Sequence, residues 1–344
     1  MRAVSSFSGP NLMRELIQRT QADLSRAQIE AGSGRLADVG LSLGAGVSRS
    51  IDLRNALSAN AGYAQSNALL ATRLDATSAA LSHAAGLADQ LRDDAITAIS
   101  TGDIGALVQS ASGALAGALS TFNTRIGGAF LFAGENVDTP PFSDSASAGP
   151  GRAAVQQAFA AALGVAPGSA GASAIAPAQM KNFLDTQFSA LFAAPQWNNV
   201  WSQAADTPLA AEIAPGRRET ASATANEAGA RQTIAAAAML AHLGLESLSA
   251  QTQRVVIDEA TRRLGDAAGG MTQMQARIGI VQRDATSASD ALKAQAAYLQ
   301  TQIGVLENVD PAEAATRISM LTTQLETSYA LTSRASRMSL VNFL

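Results

Sequence analysis

Residues 257–292 read IDEATRRLGDAAGGMTQMQARIGIVQRDATSASDAL. Stepping alternately by three and four from Ile257 lands on Ala260, Leu264, Ala267, Met271, Met274, Ile278, Val281, Ala285, Ala288 and Leu292. The same register runs on through Gln295, Leu299, Gln302, Leu306 and Val309. Fourteen of these sixteen positions are apolar, so one seam faces a partner along a single helix. At about 1.5 Å per residue that helix spans roughly 80 Å, far more than a globular core requires.

A second seam answers it. From Leu53 the same stepping gives Ala56, Asn60, Tyr63, Asn67, Leu70, Leu74, Thr77, Leu81, Ala84, Ala88, Leu91, Ala95 and Ala98. The many alanines let two helices approach closely, and Asn60 and Asn67 are candidates for fixing register. Two seams of similar length in one chain pack most simply as an elongated antiparallel rod. Proline supports this division. Eight of the ten prolines lie between Pro140 and Pro215, so residues 11–139 and 216–310 contain none and can run as helix.

Composition agrees. Of 344 residues 75 are Ala, the best helix former, while aromatics are 4% and charged residues 15%. The net charge is −4, and the basic side is 22 Arg with 2 Lys and no like-charge block, which argues against a nucleic-acid surface. With no Cys there is no disulfide framework, thiolate metal site or thiol nucleophile. No segment reads as a membrane span. Arg2, Arg14, Glu15 and Arg19 interrupt the first twenty residues, which therefore do not read as a conventional secretory signal peptide.

Shorter helices are expected at both ends. Met13, Ile17, Thr20, Leu24, Ala27 and Ala31 form one stripe. Asp310-Pro311-Ala312-Glu313 reads as an N-cap, a first-turn Pro and a capping-box acid, followed by Ile318, Leu321 and Leu325. Short helices with one apolar stripe are marginal alone, so these two need each other or other copies of the chain.

Between the two long tracts, residues 143–215 hold six prolines and only six charged residues. Nine of the fifteen aromatics fall between Phe130 and Trp201. This predicts a small α+β outer domain with Phe183, Phe188, Phe192, Trp197 and Trp201 in its core. Helices are expected at 151–163 and 178–193, a strand through 218–224, and a hairpin arm with a strand through Gly127–Gly134. The expected organisation is thus mainly α. Residues 1–48 and 311–344 form a terminal coiled coil, 49–142 and 216–310 the long-helix rod with its hairpin arm, and 143–215 the outer domain.

Chemistry is poorly provided for. His83 and His242 stand in separate helices without a second ligand, which makes packing roles the expectation. The neighbours Asp93-Asp94 and Asp258-Glu259 splay around a helix and read as solvated faces. Gly40–Gly46 lacks the Lys-Ser/Thr of a phosphate loop and reads as a flexible connector. No nucleophile-elbow pattern occurs. The expectation is therefore no catalytic residue, no cofactor and no metal.

Several segments resemble the flagellin family, and within it the hook-associated branch of the hook–filament junction. Ala312-Glu313-Ala314-Ala315-Thr316-Arg317-Ile318, running on to Leu325-Glu326-Thr327-Ser328-Tyr329-Ala330, resembles that family's last helix. The ending Met338-Ser339-Leu340-Val341-Asn342-Phe343-Leu344 is similar to the junction branch. So is Phe132-Ala133-Gly134-Glu135-Asn136-Val137-Asp138-Thr139-Pro140-Pro141-Phe142, and Ile213-Ala214-Pro215-Gly216 with Ala225-Asn226-Glu227 resembles the return from an outer domain. The segment Leu36-Ala37-Asp38-Val39-Gly40 departs from the polar, acidic stretch that many relatives carry there.

The resemblance implies a structural adaptor in which the terminal helices pair near the axis of a tube. Met13, Ile17, Leu24, Ile318, Leu321 and Leu325 would form the terminal coiled coil, and Leu340, Val341 and Phe343 would support docking to neighbours. Implied partners are copies of itself in a ring, a neighbouring hook-associated protein, filament flagellin and a flagellar export chaperone. Export would run through the flagellar type III apparatus. The alternatives left open are a filament flagellin, an enzyme housed in the outer domain and a cytoplasmic coiled-coil binding protein.

Overall fold

The computed structural model describes residues 8–143 and 149–341, with side chains described over 11–143 and 149–334. It is mainly α. The helices are α1 (Ser8–Ser33), α2 (Val39–Leu43), α3 (Val47–Thr101), α4 (Ile104–Phe122), α5 (Pro150–Leu163), α6 (Pro177–Phe183), α7 (Ser189–Leu191), α8 (Gln196–Val200), α9 (Ala228–His242), α10 (Ala250–Glu307) and α11 (Pro311–Val341). Two hairpins complete it: β1 (Arg125–Ile126) with β2 (Ala129–Phe130), and β3 (Ala210–Ala214) with β4 (Arg217–Thr220). Two compact units share α3 and α10. One comprises Met1–Gly62 with Leu292–Leu344, the other Tyr63–Ala291.

In the second unit α3 and α10 run antiparallel. Gln275 Nε2 donates to Ser82 Oγ at 2.9 Å and Gln282 Nε2 to Asp75 Oδ1 at 2.7 Å. Seven residues forward on one helix are therefore seven backward on the other, the spacing of one heptad. Both seams are buried as expected, from Asn67 to Ala98 and from Ile257 to Leu292. Beyond Leu292 the strict heptad holds only at Leu299. Gln295 is exposed, and Ile303 and Glu307 are buried in place of Gln302 and Leu306. A helix of 3.6 residues per turn drifts about 20° per heptad, so without supercoiling the buried line moves on by extra residues.

Gly102 ends α3 in a left-handed conformation (φ 77°) that only Gly adopts freely, and Asp103 accepts from Ala106 N at 3.0 Å to cap α4. The chain thus folds back, and α4 lays Leu107, Ala111, Leu115 and Phe122 into the core with α9. Residues Ile234 to Leu240 of α9 have no accessible surface, as an all-round apolar helix requires.

The aromatic residues of the outer segment share one buried cluster with this core. Phe122 meets Phe132 at 5.2 Å, Phe142 meets Trp197 at 5.8 Å, and Phe192 stacks on Trp201 at 5.2 Å between ring centroids. The expected aromatic core is present and joins Phe122, Phe132, Phe142 and Phe159 in one buried cluster. Asn226 Oδ1 accepts from both Trp197 Nε1 (2.7 Å) and Ser202 Oγ (2.6 Å), so the indole is satisfied inside it.

The strands are shorter than expected. Gly127 and Gly128 (φ 59° and 90°) turn Gly127–Gly134 into the tip of a hairpin with two residues on each side, not one strand. The second strand stops at Thr220 because Ser222 Oγ takes the Leu209 amide at 2.8 Å, a side chain replacing the ladder. Helix does occupy 151–163, and 178–191 is helical throughout with a π-turn at Leu184–Phe188. The β3–β4 hairpin is fastened to α3 by Asn67 Nδ2 on Ile213 O (2.8 Å) and Tyr63 OH on Glu212 Oε1 (3.0 Å).

Candidate assembly site in the terminal helices

In the first unit α1 and α11 pair with each other. Gln21 Nε2 donates to Tyr329 OH at 2.8 Å, and Arg317 Nη1 reaches Glu30 Oε2 at 3.4 Å. The fully covered positions are small or hydrogen-bonded: Ala27, Ala314, Thr20, Ser328 and Glu30. The Thr20 and Ser328 hydroxyls are spent on their own helix, on Leu16 O (2.9 Å) and Gln324 O (2.7 Å), so neither is left unpaired.

The longer residues behave differently. Met13, Ile17 and Leu24 on α1, and Ile318, Leu321 and Leu325 on α11, are all half-buried. Two helices cover small side chains at their contact line, while longer ones project past its edges. Leu12 is 69% exposed and Met320 62%, with Leu16, Tyr329 and Leu331 exposed beside them. The pair therefore carries apolar surface that this chain alone leaves open to solvent. Leu340 and Val341 fall within α11 but their side chains lie outside the described residues, as does Phe343 entirely.

The start of α11 partly follows expectation. Asp310 Oδ1 accepts from Ala312 N at 2.8 Å, but the Glu313 carboxylate goes to Arg317 Nη2 at 3.0 Å rather than closing a capping box. Gly40–Gly46 is also more ordered than a flexible connector. Asp38 caps α2 by accepting from Leu41 N at 2.8 Å, and a 3₁₀ turn follows at Gly44–Gly46.

Glu307, at the end of α10, was not foreseen. Its side chain is 1% exposed and accepts from Ser50 Oγ (2.5 Å), Arg54 Nε (2.9 Å) and Arg54 Nη2. The Arg54 guanidinium holds this carboxyl below the ordinary range, helped by Ser50 and against the opposing effect of burial. The Arg54 pKa is raised by the same bond. In the heptad register position 307 lies beside the seam at Leu306, so no charge at a seam position marked it.

Elsewhere the polar residues are structural. His242 is buried. Glu259 does not sit on a solvated face. It is held by Arg262 and by the buried Arg263 (2.8 Å), and these cations keep its carboxyl low although burial pushes it up. Asp94 accepts from Ser110 Oγ. Among the described residues no three His, Cys, Asp or Glu converge as metal ligands, and no helix is long and apolar enough to cross a membrane.

A mainly α chain whose two ends pair and keep uncovered apolar surface has the construction of a structural subunit. Family comparison is specific. Residues 4–137 match the bacterial flagellin N-terminal helical region and 261–344 the bacterial flagellin C-terminal helical region, together well over half of the chain. The chain belongs to the flagellin family, the structural proteins of the bacterial flagellum. A comparison with curated proteins finds no match. Among solved structures, one from Vibrio parahaemolyticus assigned as a flagellar hook-associated protein is similar at 15% identity and TM-score 0.51, covering 74% of this chain and 95% of that one. FlgL of Bacillus cereus is similar at 11% identity and TM-score 0.50, covering 74% of this chain and 99% of that one.

Proposed function

We propose that this flagellar subunit forms the junction between hook and filament, assembling as a ring of copies and presenting a template for the first filament subunits. The observation that carries this is the extent of the fold match. It takes in 95% of a structure assigned as a flagellar hook-associated protein and 99% of FlgL of Bacillus cereus. The ending Met338–Leu344, similar to the junction branch, supports the same reading.

The mechanism is packing. Met13, Ile17, Leu24, Ile318, Leu321 and Leu325 would complete their burial against neighbouring copies, and Leu340, Val341 and Phe343 would extend that contact. Fully burying a Leu- or Ile-sized side chain contributes about 1.5–3 kcal/mol, so a few half-buried residues per subunit suffice to hold a ring once neighbours multiply them. In this reading 1–48 with 311–344 is the assembling part, 49–142 with 216–310 the supporting one, and 143–215 the outward one. One face of the ring would meet another hook-associated protein and the other filament flagellin. Delivery would use the flagellar type III route with an export chaperone.

Copy number tests it. Quantitative mass spectrometry of flagella sheared at increasing length should give a fixed amount of this chain per flagellum while flagellin grows. An amount that rises in proportion to length would make it a filament flagellin, the alternative reading.

A further inference from the structure

Two chain crossings connect the terminal helix pair to the long helices of the first unit, residues 34–38 after α1 and 308–310 before α11. They run side by side. Leu36 N donates to Glu307 O at 2.8 Å, Val309 N to Gly34 O at 3.0 Å, and Arg35 pairs with Asn308 in an antiparallel bridge. Glu307 is the residue where both meet α3. Its carbonyl takes one crossing while its carboxylate takes Ser50 and Arg54. The groups facing that carboxylate are Ser50 and Arg54 from α3 and, at longer range, Arg35 from the first crossing.

This ion pair is a poor source of stability, because Arg54 is half-exposed and only the carboxylate is covered. Desolvating a carboxylate costs several kcal/mol, and well-packed apolar replacements are often neutral or better. An apolar residue at 307 would continue the line of Leu299 and Ile303. It would also leave the angle of the crossings unspecified, because apolar contacts are not directional. A carboxylate taking a fork from one arginine and a bond from one serine accepts a single arrangement.

We propose that Glu307 is a positioning residue. It clasps both crossings to α3 and so fixes the direction in which the α1–α11 pair leaves the long helices. This rests on the reading that the pair is the assembling element. The clasp is charged, and its carboxyl is held below the ordinary range, so it closes at neutral pH and opens in acid as that carboxyl protonates.

The test is pH-resolved hydrogen exchange of the full-length chain, corrected for intrinsic rates, at the Leu36 and Val309 amides. In the wild type, protection should fall with a midpoint below the ordinary Glu value of about 4.3, while amides of α9 stay protected. In Glu307→Gln the two amides should lose at least about tenfold in protection at neutral pH, as for loss of hydrogen bonds to a charged group, and show no acid step. Arg54→Gln should abolish or reverse the fall in acid, because a covered carboxyl without its cation no longer lies below its unfolded value, and Arg54→Lys should keep the fall. Glu30 accepts from Ala37 N at 3.2 Å, so a step that survives in Glu307→Gln but disappears in Glu30→Gln overturns the assignment. A wild-type profile without a step, or the same acid fall in wild type, Arg54→Gln and Arg54→Lys, also overturns it. Should Glu307→Gln fail to fold, the wild type and the two Arg54 variants decide. Incorporation of folded Glu307→Gln into flagella at the wild-type level would remove the positioning role. The exchange readout does not depend on where the protein sits, so a failed junction assignment and a failed clasp are distinguishable.

Discussion

Gly229 of α9 and Gly270 of α10 meet backbone to backbone. A Cβ on Gly270 would lie 2.8 Å from both Cα and N of Gly229, and one on Gly229 would lie 2.8 Å from Met271 N. Neither backbone can retreat without moving a helix that is packed into the core along one face.

Gly270→Ala should therefore destabilise the protein by about 1–3 kcal/mol, the cost of overpacking, even though Ala is the better helix former by about 1 kcal/mol. Gly265 lies on the same helix with nothing within 4 Å of its would-be Cβ. Gly265→Ala should gain about 0.5–1 kcal/mol. Urea unfolding followed by Trp197 and Trp201 fluorescence gives both signs in one experiment. Two shifts in the same direction would contradict the packing.

Arg263 is the buried cation of the outer core. It is bound to Glu259, donates to Ser189 Oγ at 2.6 Å and lies 5.7 Å from the Phe188 ring centroid. Removing it leaves Glu259 partly desolvated with only the more exposed Arg262 for charge. Arg263→Ala should cost about 3 kcal/mol, while Arg262→Ala, mostly in solvent, should cost under about 1 kcal/mol. The same urea series checks the ranking.

The β3–β4 hairpin has a pH signature. Glu212 accepts from Gly216 N (3.0 Å) and from Tyr63 OH, and these two bonds, the first the stronger, hold its carboxyl below the ordinary value. A lowered carboxyl stabilises the folded hairpin above the unfolded Glu value and loses that contribution as pH falls through the folded one. Protection of the Gly216 amide should accordingly drop in acid. Tyr63→Phe should shift that drop toward higher pH. An unchanged profile in the variant would show that the phenol does not act on the carboxylate.

Leu325 lies half-buried on α11, within the first unit. Leu325→Asp should abolish incorporation into flagella while tryptophan fluorescence and urea midpoint of the second unit stay within about 0.5 kcal/mol of wild type. Immunoblotting of sheared flagella against secreted protein measures the first effect. Normal incorporation would remove this stripe from the assembly surface.

The long helices were legible because a buried seam imposes its period on every turn. Leu74, Leu81, Ala88 and Ala95 answer Ile257, Leu264, Met271 and Ile278 in spacing and in burial. The aromatic core was legible from clustering, Trp197 and Trp201 falling with seven phenylalanines between Phe130 and Trp201. What was hidden depended on contacts across the chain. Glu307 is buried for a reason that lies some 250 residues earlier, at Ser50 and Arg54. Glu259 reads as solvated until Arg263 is seen turned inward. The drift from Gln295 to Ile303 is invisible to a strict heptad, because sequence alone does not say whether a helix supercoils. The half-buried state of Ile318, Leu321 and Leu325 is likewise a property of two helices meeting, not of either stripe.

The most direct measurement is immunogold electron microscopy of detached flagella, with antibody raised against residues 149–215. The account predicts label confined to a band where hook meets filament. Label running along the whole filament would contradict it, and so would flagella that carry none.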